Sequence, residues 1–471
     1  MTRPYLSKPT RPWLTRSRAD HEEARERILR DAARLLRGGL CAVCREREES
    51  ESRWLGYFIT ESHTDEGVRA RLVAAAGFCP PHTRHLLADA SLPWLMPQVH
   101  DAALTGGRRL LDQERCRPAP CPACVTGRAA EQRALATLLR ALDQPSILQA
   151  VLEAAVCLPH TGALAAQADM AHAVQMTTAA RAHLDGPAPD YEVEWLAGSD
   201  PDAPHRPAWH TGLDALLPTE TAHQRHSVLD RWDADAAMAC CPLCLAQHRA
   251  THRFLTWATT ATGRGQPARE ETGLCPPHLH DLAALEGPNT TSVVQDNRDT
   301  WNRRLTRYQQ LITAHRPDRR AANAYLLAIP RCNACDTHVT AGHRQTALLD
   351  AALLDPTRAR TFEHAHGICL HHALTGPDTL APHAYDILTA RLALLRWEVD
   401  ETLRKQDWHT RYEPRGNETT VTVRAPTLLD GRVYAGLPAR DQGQPVARVQ
   451  EQAPDEQGFG SVCRRAMEQR H

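Results

Sequence analysis

Apolar residues recur at intervals of three and four along much of the chain, which is the pattern of helices with one buried face. Leu55, Phe58 and Ile59 have this spacing in the first part of the chain, and Leu135 and Leu138 repeat it later. The pattern predicts amphipathic helices over both segments.

The same reasoning predicts shorter helices at about 65–76 and 146–156, and long helices at 162–184 and 382–406. Strand signals are sparse, and the best candidate is the short stretch TTVTVRA at 419–425. The expected fold class is therefore mostly α.

Composition narrows the class of protein. The chain has 471 residues, 42% of them hydrophobic and 24% charged, and its formal net charge is −1. At roughly 100–200 residues per domain, this length predicts two to four domains. No uninterrupted apolar run reaches about 18 residues, so we expect no membrane-spanning helix. The basic N-terminal segment lacks the apolar stretch of a secretory signal, so we expect a cytoplasmic protein.

Lysine is almost absent, with only Lys8 and Lys405 in the chain. This scarcity of lysine argues against a phosphate-binding loop lysine, a Schiff-base lysine or a Ser-x-x-Lys mechanism. The short signatures of nucleotide binding, metalloproteases and serine hydrolases are also missing from the sequence. We therefore favour a non-enzymatic role, although an enzyme without short motifs remains an alternative.

Cysteine supplies the strongest signal. The chain has 15 cysteines, and a CxxC pair is followed after 30 to 34 residues by a CxxH pair four times. Ordered cysteines in a reducing compartment are typical of metal sites. The predicted metal ligands, in four successive modules, are Cys41, Cys44, Cys79 and His82; Cys121, Cys124, Cys157 and His160; Cys241, Cys244, Cys275 and His278; and Cys332, Cys335, Cys369 and His372.

Three thiolates and one imidazole suit tetrahedral Zn²⁺, and a set of four protein ligands leaves no open position for catalysis. We expect one structural zinc per module, shared by its CxxC and the CxxH that follows, hence four ions per chain. The proline-bearing CxxH steps are predicted to start helices. An iron–sulfur cluster and a thioredoxin-like redox pair are the alternatives for these cysteines.

The choice of histidine in the fourth module and the role of three further cysteines need separate consideration. In the fourth module both His371 and His372 follow the cysteine, and the spacing favours His372. Cys116, Cys240 and Cys463 lie off the pattern, and we interpret them as bystander thiols.

The modules divide the chain into two halves with two modules each, as expected of a tandem duplication. We predict a basic, disordered arm at 1–19, a first pair of modules at 20–185, and a Pro-, Asp- and Gly-rich connection at 186–230. A second pair of modules follows at 231–416, and a partly disordered tail occupies 417–471.

A CPxC step followed by a helix, then DEGVRARLVAAAGFCPPH and a long helix, resembles an uncharacterised bacterial family known only as a domain of unknown function. That family carries two such modules and closes with a motif like RKQDWHTRYEPRG at 404–416. The chain resembles two fused copies, at about 20–185 and 235–430. The resemblance implies a helical metal-binding protein with the twelve cysteines and four histidines as ligands, and it implies no activity.

Three functions fit these observations. The first is a zinc-stabilised helical scaffold that binds a protein partner, because repeated modules commonly build an extended binding surface. The second is a nucleic-acid-binding zinc protein, which the balanced charge disfavours. The third is a redox or metal sensor, or an enzyme, that uses the thiolates themselves.

Overall fold

The computed structural model describes most of the chain as helices joined by short connections. The described residues are 18–38, 41–88, 94–112, 117–153, 156–187, 192–199, 240–260, 272–285, 287–328, 331–375 and 381–430. Most of the predicted arm, most of the predicted connection and the end of the predicted tail lie outside these ranges. Cys116 and Cys463 also lie outside them.

The fold is mostly α, as predicted. The helices of the first half of the chain are α1 (Arg18–Leu35), α2 (Ala42–Thr60), α3 (Glu66–Ala74), α4 (Pro80–Ala88), α5 (Met96–Asp112), α6 (Pro122–Ala141), α7 (Pro145–Leu152), α8 (Leu158–Gln167), α9 (Met170–Asp185) and α10 (Glu192–Ala197). Those of the second half are α11 (Pro242–Ala258), α12 (Pro276–Ala283), α13 (Thr290–Ile312), α14 (Arg319–Leu327), α15 (Asn333–Leu353), α16 (Pro356–His364), α17 (Leu370–Thr375), α18 (Pro382–Arg404) and α19 (Val421–Asp430). Short 3₁₀ turns occupy Ser62–Thr64 and Asn417–Thr420.

Within the described residues, extended pairing is limited to two short parallel strands, β1 (Thr272–Gly273) and β2 (Arg331–Cys332). None of the described helices combines the length and the apolar character needed to cross a membrane.

The chain forms two compact units, and each is discontinuous in sequence. Unit 1 comprises Met1–Glu46, Ala130–Gly198 and Asn302–Leu327. Unit 2 comprises Arg47–Ala129, Ser199–Trp301 and Ala328–His471. The sequential domain boundaries and the tandem duplication stay predictions.

In unit 1, helix α8 packs against α9 and α14. The buried Tyr308 donates a hydrogen bond from its hydroxyl to the carbonyl of Ala165, at 3.1 Å. Asn323 donates from its amide to the carbonyl of Ala166, at 2.6 Å. These side chains satisfy carbonyls at the end of α8, where the helix itself leaves them without partners.

The prediction of one long helix at 162–184 is wrong, because the helix is interrupted between α8 and α9. Ala168 is extended, and Asp169 caps α9 by accepting a hydrogen bond from the backbone N–H of His172, at 3.0 Å. An N-cap aspartate satisfies a donor that would otherwise be free, and so favours a new helix start at this position. Periodicity alone does not show this break.

In unit 2, α5 packs against α3, α18 and α19, and α11 packs along α15. Two adjacent glycines of α5 allow close approach: a Cβ at Gly106 would lie 2.0 Å from the Val73 carbonyl oxygen, and one at Gly107 would lie 2.2 Å from Leu370. The core of unit 2 therefore brings the middle of α5 against helices from both ends of the chain.

The strand predicted at 419–425 is also wrong. The segment forms the end of a 3₁₀ turn and the start of α19, whose buried residues include Val421, Ala425, Leu428 and Leu429. These positions have helical spacing and join the core of unit 2. Tertiary burial of one face outweighs the β preference of the valines and threonines.

Four candidate metal centres

All eight predicted ligand pairs lie at the beginning of a helix. The first cysteine of each pair directly precedes the first helical residue, so the second ligand is at the third helical position; the helices are α2, α4, α6, α8, α11, α12, α15 and α17. Residues three apart lie on the same side of a helix, and the N-terminus carries a partial positive charge that favours thiolates. The prediction that CxxH starts a helix is confirmed, and CxxC behaves in the same way.

The sixteen predicted residues come together in four groups. Within each group, the four ligand atoms lie within 4.8 Å of one another. Cluster A contains Cys41, Cys44, Cys157 and His160; cluster B contains Cys79, His82, Cys121 and Cys124; cluster C contains Cys241, Cys244, Cys369 and His372; and cluster D contains Cys275, His278, Cys332 and Cys335.

These groups correct the predicted pairing. A CxxC does not share a group with the CxxH that follows it; the first CxxC of each half joins the second CxxH, and the second CxxC joins the first CxxH. The inner group of each half is therefore nested within the outer one along the sequence. Spacing along the chain cannot show which pair meets which, because every pair offers the same chemistry.

The distances fit a single tetrahedral ion. Bond lengths of about 2.3 Å to sulfur and about 2.05 Å to nitrogen place two sulfurs about 3.8 Å apart and a sulfur and a nitrogen about 3.5 Å apart. In cluster A, Sγ of Cys44 lies 3.8 Å from Sγ of Cys157. Nδ1 of His160 lies 3.4 Å from Sγ of Cys41 and 3.2 Å from Sγ of Cys157.

The other clusters repeat this geometry. The sulfur pairs are Cys79 and Cys124 at 3.5 Å, Cys244 and Cys369 at 3.8 Å, and Cys275 and Cys335 at 3.6 Å. The distances from the histidine Nδ1 to the cysteine sulfurs range from 3.0 Å in cluster B to 3.7 Å in cluster C. All described cysteines are free thiols. Each cluster thus has the donor set and the dimensions of one four-coordinate metal centre.

In three clusters, the histidine uses Nδ1 toward the thiols and Nε2 toward an oxygen on another helix. Nε2 lies 3.4 Å from a carboxylate oxygen of Glu51 in cluster B, and 3.3 Å from one of Glu131 in cluster A. In cluster C, Nε2 of His372 lies 2.8 Å from Oε1 of Gln247. Such partners fix the orientation and tautomer of a metal-binding histidine. All three residues follow CxxC pairs at helical distances, and none of them was among the predicted site residues.

Glycine makes room for two of these partners. A Cβ at Gly127 would lie 2.1 Å from Oε1 of Glu51, and a Cβ at Gly342 would lie 2.4 Å from Nε2 of Gln247. In each case the glycine lies on the other CxxC helix of the same half. The outer partner of the histidine therefore depends on close packing against that helix.

The electrostatics of clusters A and B favour a cation. Burial lowers the pKa of His82, but its hydrogen bonds with Cys121, Cys124 and Glu51 outweigh burial and raise the pKa to about 11. The pKa of His160 is raised to about 12 for the same reasons, against its burial. A site that stabilises a protonated imidazole so strongly has a negative potential.

The thiols of one cluster oppose one another's ionisation. In cluster A, the hydrogen bond from Cys157 lowers the pKa of Cys44 far below its usual value, whereas burial raises that of Cys157. In cluster B, the hydrogen bond from Cys124 lowers the pKa of Cys121, and the hydrogen bond with Cys121 raises that of Cys79. A bound dication would remove this opposition, because it stabilises all coordinating thiolates together.

The end of α10 and the glycine that follows it lie beside cluster A. Trp195 and Leu196 are buried, and Gly198 has a φ of +83°. A Cβ at Gly198 would lie 3.2 Å from Sγ of Cys44 and 3.6 Å from Sγ of Cys157. This part of the predicted connection therefore packs against the thiols of cluster A.

His372, not His371, faces the cluster C thiols, as the spacing predicted. Cys240 is buried but belongs to none of the four groups.

Comparisons with known proteins find no matching family model, no matching curated protein and no matching solved structure. The geometry of the four clusters is therefore the main indication of function.

Proposed function

We propose that the chain binds four Zn²⁺ ions, one in each of clusters A to D, and acts as a non-enzymatic scaffold for a macromolecular partner. The observation that carries this proposal is the grouping of eight helix-starting ligand pairs into four Cys₃His sets of tetrahedral dimensions. Four protein ligands complete the coordination of Zn²⁺, and such closed sites stabilise folds. The uncharacterised bacterial family, the tandem duplication and the cytoplasmic location are part of this proposal.

Zinc is favoured over the two alternatives by the same distances. In a four-iron cluster each ligand binds a different iron, so the ligand atoms lie farther apart than atoms that share one ion. A redox pair needs one reactive CxxC, whereas each CxxC here faces a third cysteine and a histidine. Neither alternative accounts for both the donor set and the short distances between its atoms.

A protein partner is supported by exposed aromatic residues near the end of the described chain. Trp408 is 65% exposed and Tyr412 is 78% exposed. The guanidinium of Arg411 lies over both rings, 3.3 Å from the Trp408 centroid and 4.6 Å from that of Tyr412. Tryptophan, tyrosine and arginine are the residues most enriched at the centres of protein interfaces.

Elemental analysis of protein purified without added metal tests the zinc sites. We expect four zinc ions per chain, little iron and no visible colour. A double variant of one cluster, Cys241→Ser with Cys244→Ser, should bind three. Zinc below one equivalent, or iron with brown colour, would overturn the assignment.

The partner is tested by affinity capture from the native host with and without nuclease treatment. We expect protein to be retained after nuclease treatment, and to be lost in a Trp408→Ala, Tyr412→Ala variant with full zinc content. If the captured protein is lost on nuclease treatment, the partner is a nucleic acid and not a protein.

A further inference from the structure

Clusters C and D of unit 2 differ in how well their ligands are shielded from water. The ligands of cluster C are all buried, with exposed fractions from 0% for Cys241 to 9% for Cys244. In cluster D only Cys332 is buried, while the other two thiols and His278 are partly exposed. A chelator or a soluble thiol can therefore approach the ligands of cluster D.

The two histidines also differ in their outer contacts. Nε2 of His372 is held by Gln247 at 2.8 Å. The contacts of His278 within the described part of the chain run from Nδ1 to the three thiols, and no described residue hydrogen-bonds to its Nε2. Loss of such an outer partner typically weakens metal binding about 10- to 100-fold.

The fold around cluster D does not depend on cluster D alone. Cys332 directly precedes α15, and the helix is anchored farther along against α11, where Oγ1 of Thr251 lies 3.3 Å from Nδ1 of His338. Farther along still, Gly342 packs against Gln247. Because these contacts join α15 to the helix that begins at cluster C, α15 stays docked when its first turn is released.

We propose that cluster D is an exchangeable zinc site, which gives up its ion to soluble chelating ligands while cluster C retains its own. This inference depends on the proposed function, because it requires zinc in both clusters. In the exchange, the incoming ligand takes the Zn²⁺ and the three freed thiolates take up protons from the solvent. The chain would then respond to zinc availability through one site of a unit that stays folded while cluster C keeps its ion.

Stepwise zinc removal from the full-length, zinc-loaded protein tests the proposal. The protein is titrated with EDTA, treated with N-ethylmaleimide at each step, and analysed by elemental analysis and peptide mass spectrometry. We expect the first equivalent of zinc to leave at EDTA concentrations about 10- to 100-fold below those that empty cluster C. Cys275, Cys332 and Cys335 should be alkylated at that step. Alkylation first at another cluster, or at all clusters together, would overturn the proposal.

A variant of cluster C tests whether the outer partner of its histidine is what retains the zinc ion. Gln247→Leu removes the outer partner of His372 at similar volume. Cluster C of this variant should lose its zinc at an EDTA concentration closer to the one that empties cluster D. Gln295→Leu, on the exposed face of α13, is the matched control and should leave both steps unchanged. An unchanged cluster C in Gln247→Leu contradicts the role of the outer partner. A protein that carries no zinc refutes the proposed function itself, whereas four ions lost in one step refute only the exchange.

Discussion

Gly198 lies next to two thiols of cluster A with a left-handed backbone, φ +83°. An L-residue in this conformation costs about 1–2 kcal/mol. Its Cβ would also lie 3.2 Å from Sγ of Cys44, closer than most side-chain contacts. Backbone strain and crowding at a metal ligand therefore act together at this position.

We expect Gly198→Ala to destabilise unit 1 by at least about 1–2 kcal/mol and to speed zinc loss from cluster A. Urea unfolding at saturating zinc and alkylation of Cys41 and Cys44 are the measurements. Gly56→Ala is the control, because Gly56 is helical and a Cβ there meets nothing within 4 Å; it should stabilise by about 0.5–1 kcal/mol. Equal behaviour of the two variants would contradict the account.

His100 on α5 is buried, and no described residue hydrogen-bonds to either ring nitrogen. Burial lowers its pKa to about 3, whereas an unfolded chain has a histidine pKa of about 6.5. Below pH 6.5 the unfolded state therefore binds a proton that the folded state does not. The folded state loses stability as the pH falls toward 3.

Replacing His100 with glutamine removes this titratable group. The difference in unfolding free energy between wild type and His100→Gln should change by up to about 1.4 kcal/mol per pH unit between pH 6.5 and 3, with wild type more acid-sensitive. Chemical denaturation at a series of pH values measures it. The acid sensitivity of the clusters is common to both proteins and cancels in the difference. Parallel curves would show that His100 does not titrate this way.

At the residue scale, the sequence identified the ligands because their chemistry and spacing are local. It did not identify Glu51, Glu131, Gln247 or Gly198, since their roles depend on which helices meet. A glutamate seven residues after a cysteine has the same local sequence signature as any surface glutamate. Its contact with a histidine depends on the tertiary structure.

At the scale of elements, the unit of construction is a helix whose first turn holds two ligands. Eight helices of this type meet in pairs, and each pair would share one ion. The sequence predicted the helices, but it paired neighbours in the chain, whereas the structure nests the pairs. The difference changes which helix each ligand should stabilise.

Cys79→Ser tests the nested arrangement. Cluster B joins the start of α4 to the start of α6, so hydrogen exchange should increase at both. Pairing within the first module would instead loosen the start of α2, at Cys41 and Cys44. Cys240→Ser, a buried thiol outside the clusters, is the control and should leave both helix starts protected. Loss of protection at α2 with α6 unchanged would contradict the structure.

At the scale of the whole molecule, the clusters close long stretches of chain. The joined sulfurs are 113 residues apart in cluster A and 125 apart in cluster C, against 45 in cluster B and 60 in cluster D. Closing a loop costs entropy that grows slowly with its length, so long closures are feasible when each bond is strong. Structural zinc sites supply binding free energies of about 10–16 kcal/mol in small domains.

Removal of all four ions should therefore abolish cooperative folding. Without a dication the thiols of each cluster oppose one another's ionisation, and the helix starts lose their common anchor. We expect chelator-treated protein to lose its thermal transition by circular dichroism, and zinc but not magnesium to restore it, because Mg²⁺ prefers oxygen ligands. Since the ligands must be deprotonated to bind, the restored transition should weaken as the pH falls. A chelated protein that melts at the temperature of the zinc-loaded protein would show that apolar packing alone holds the helices together.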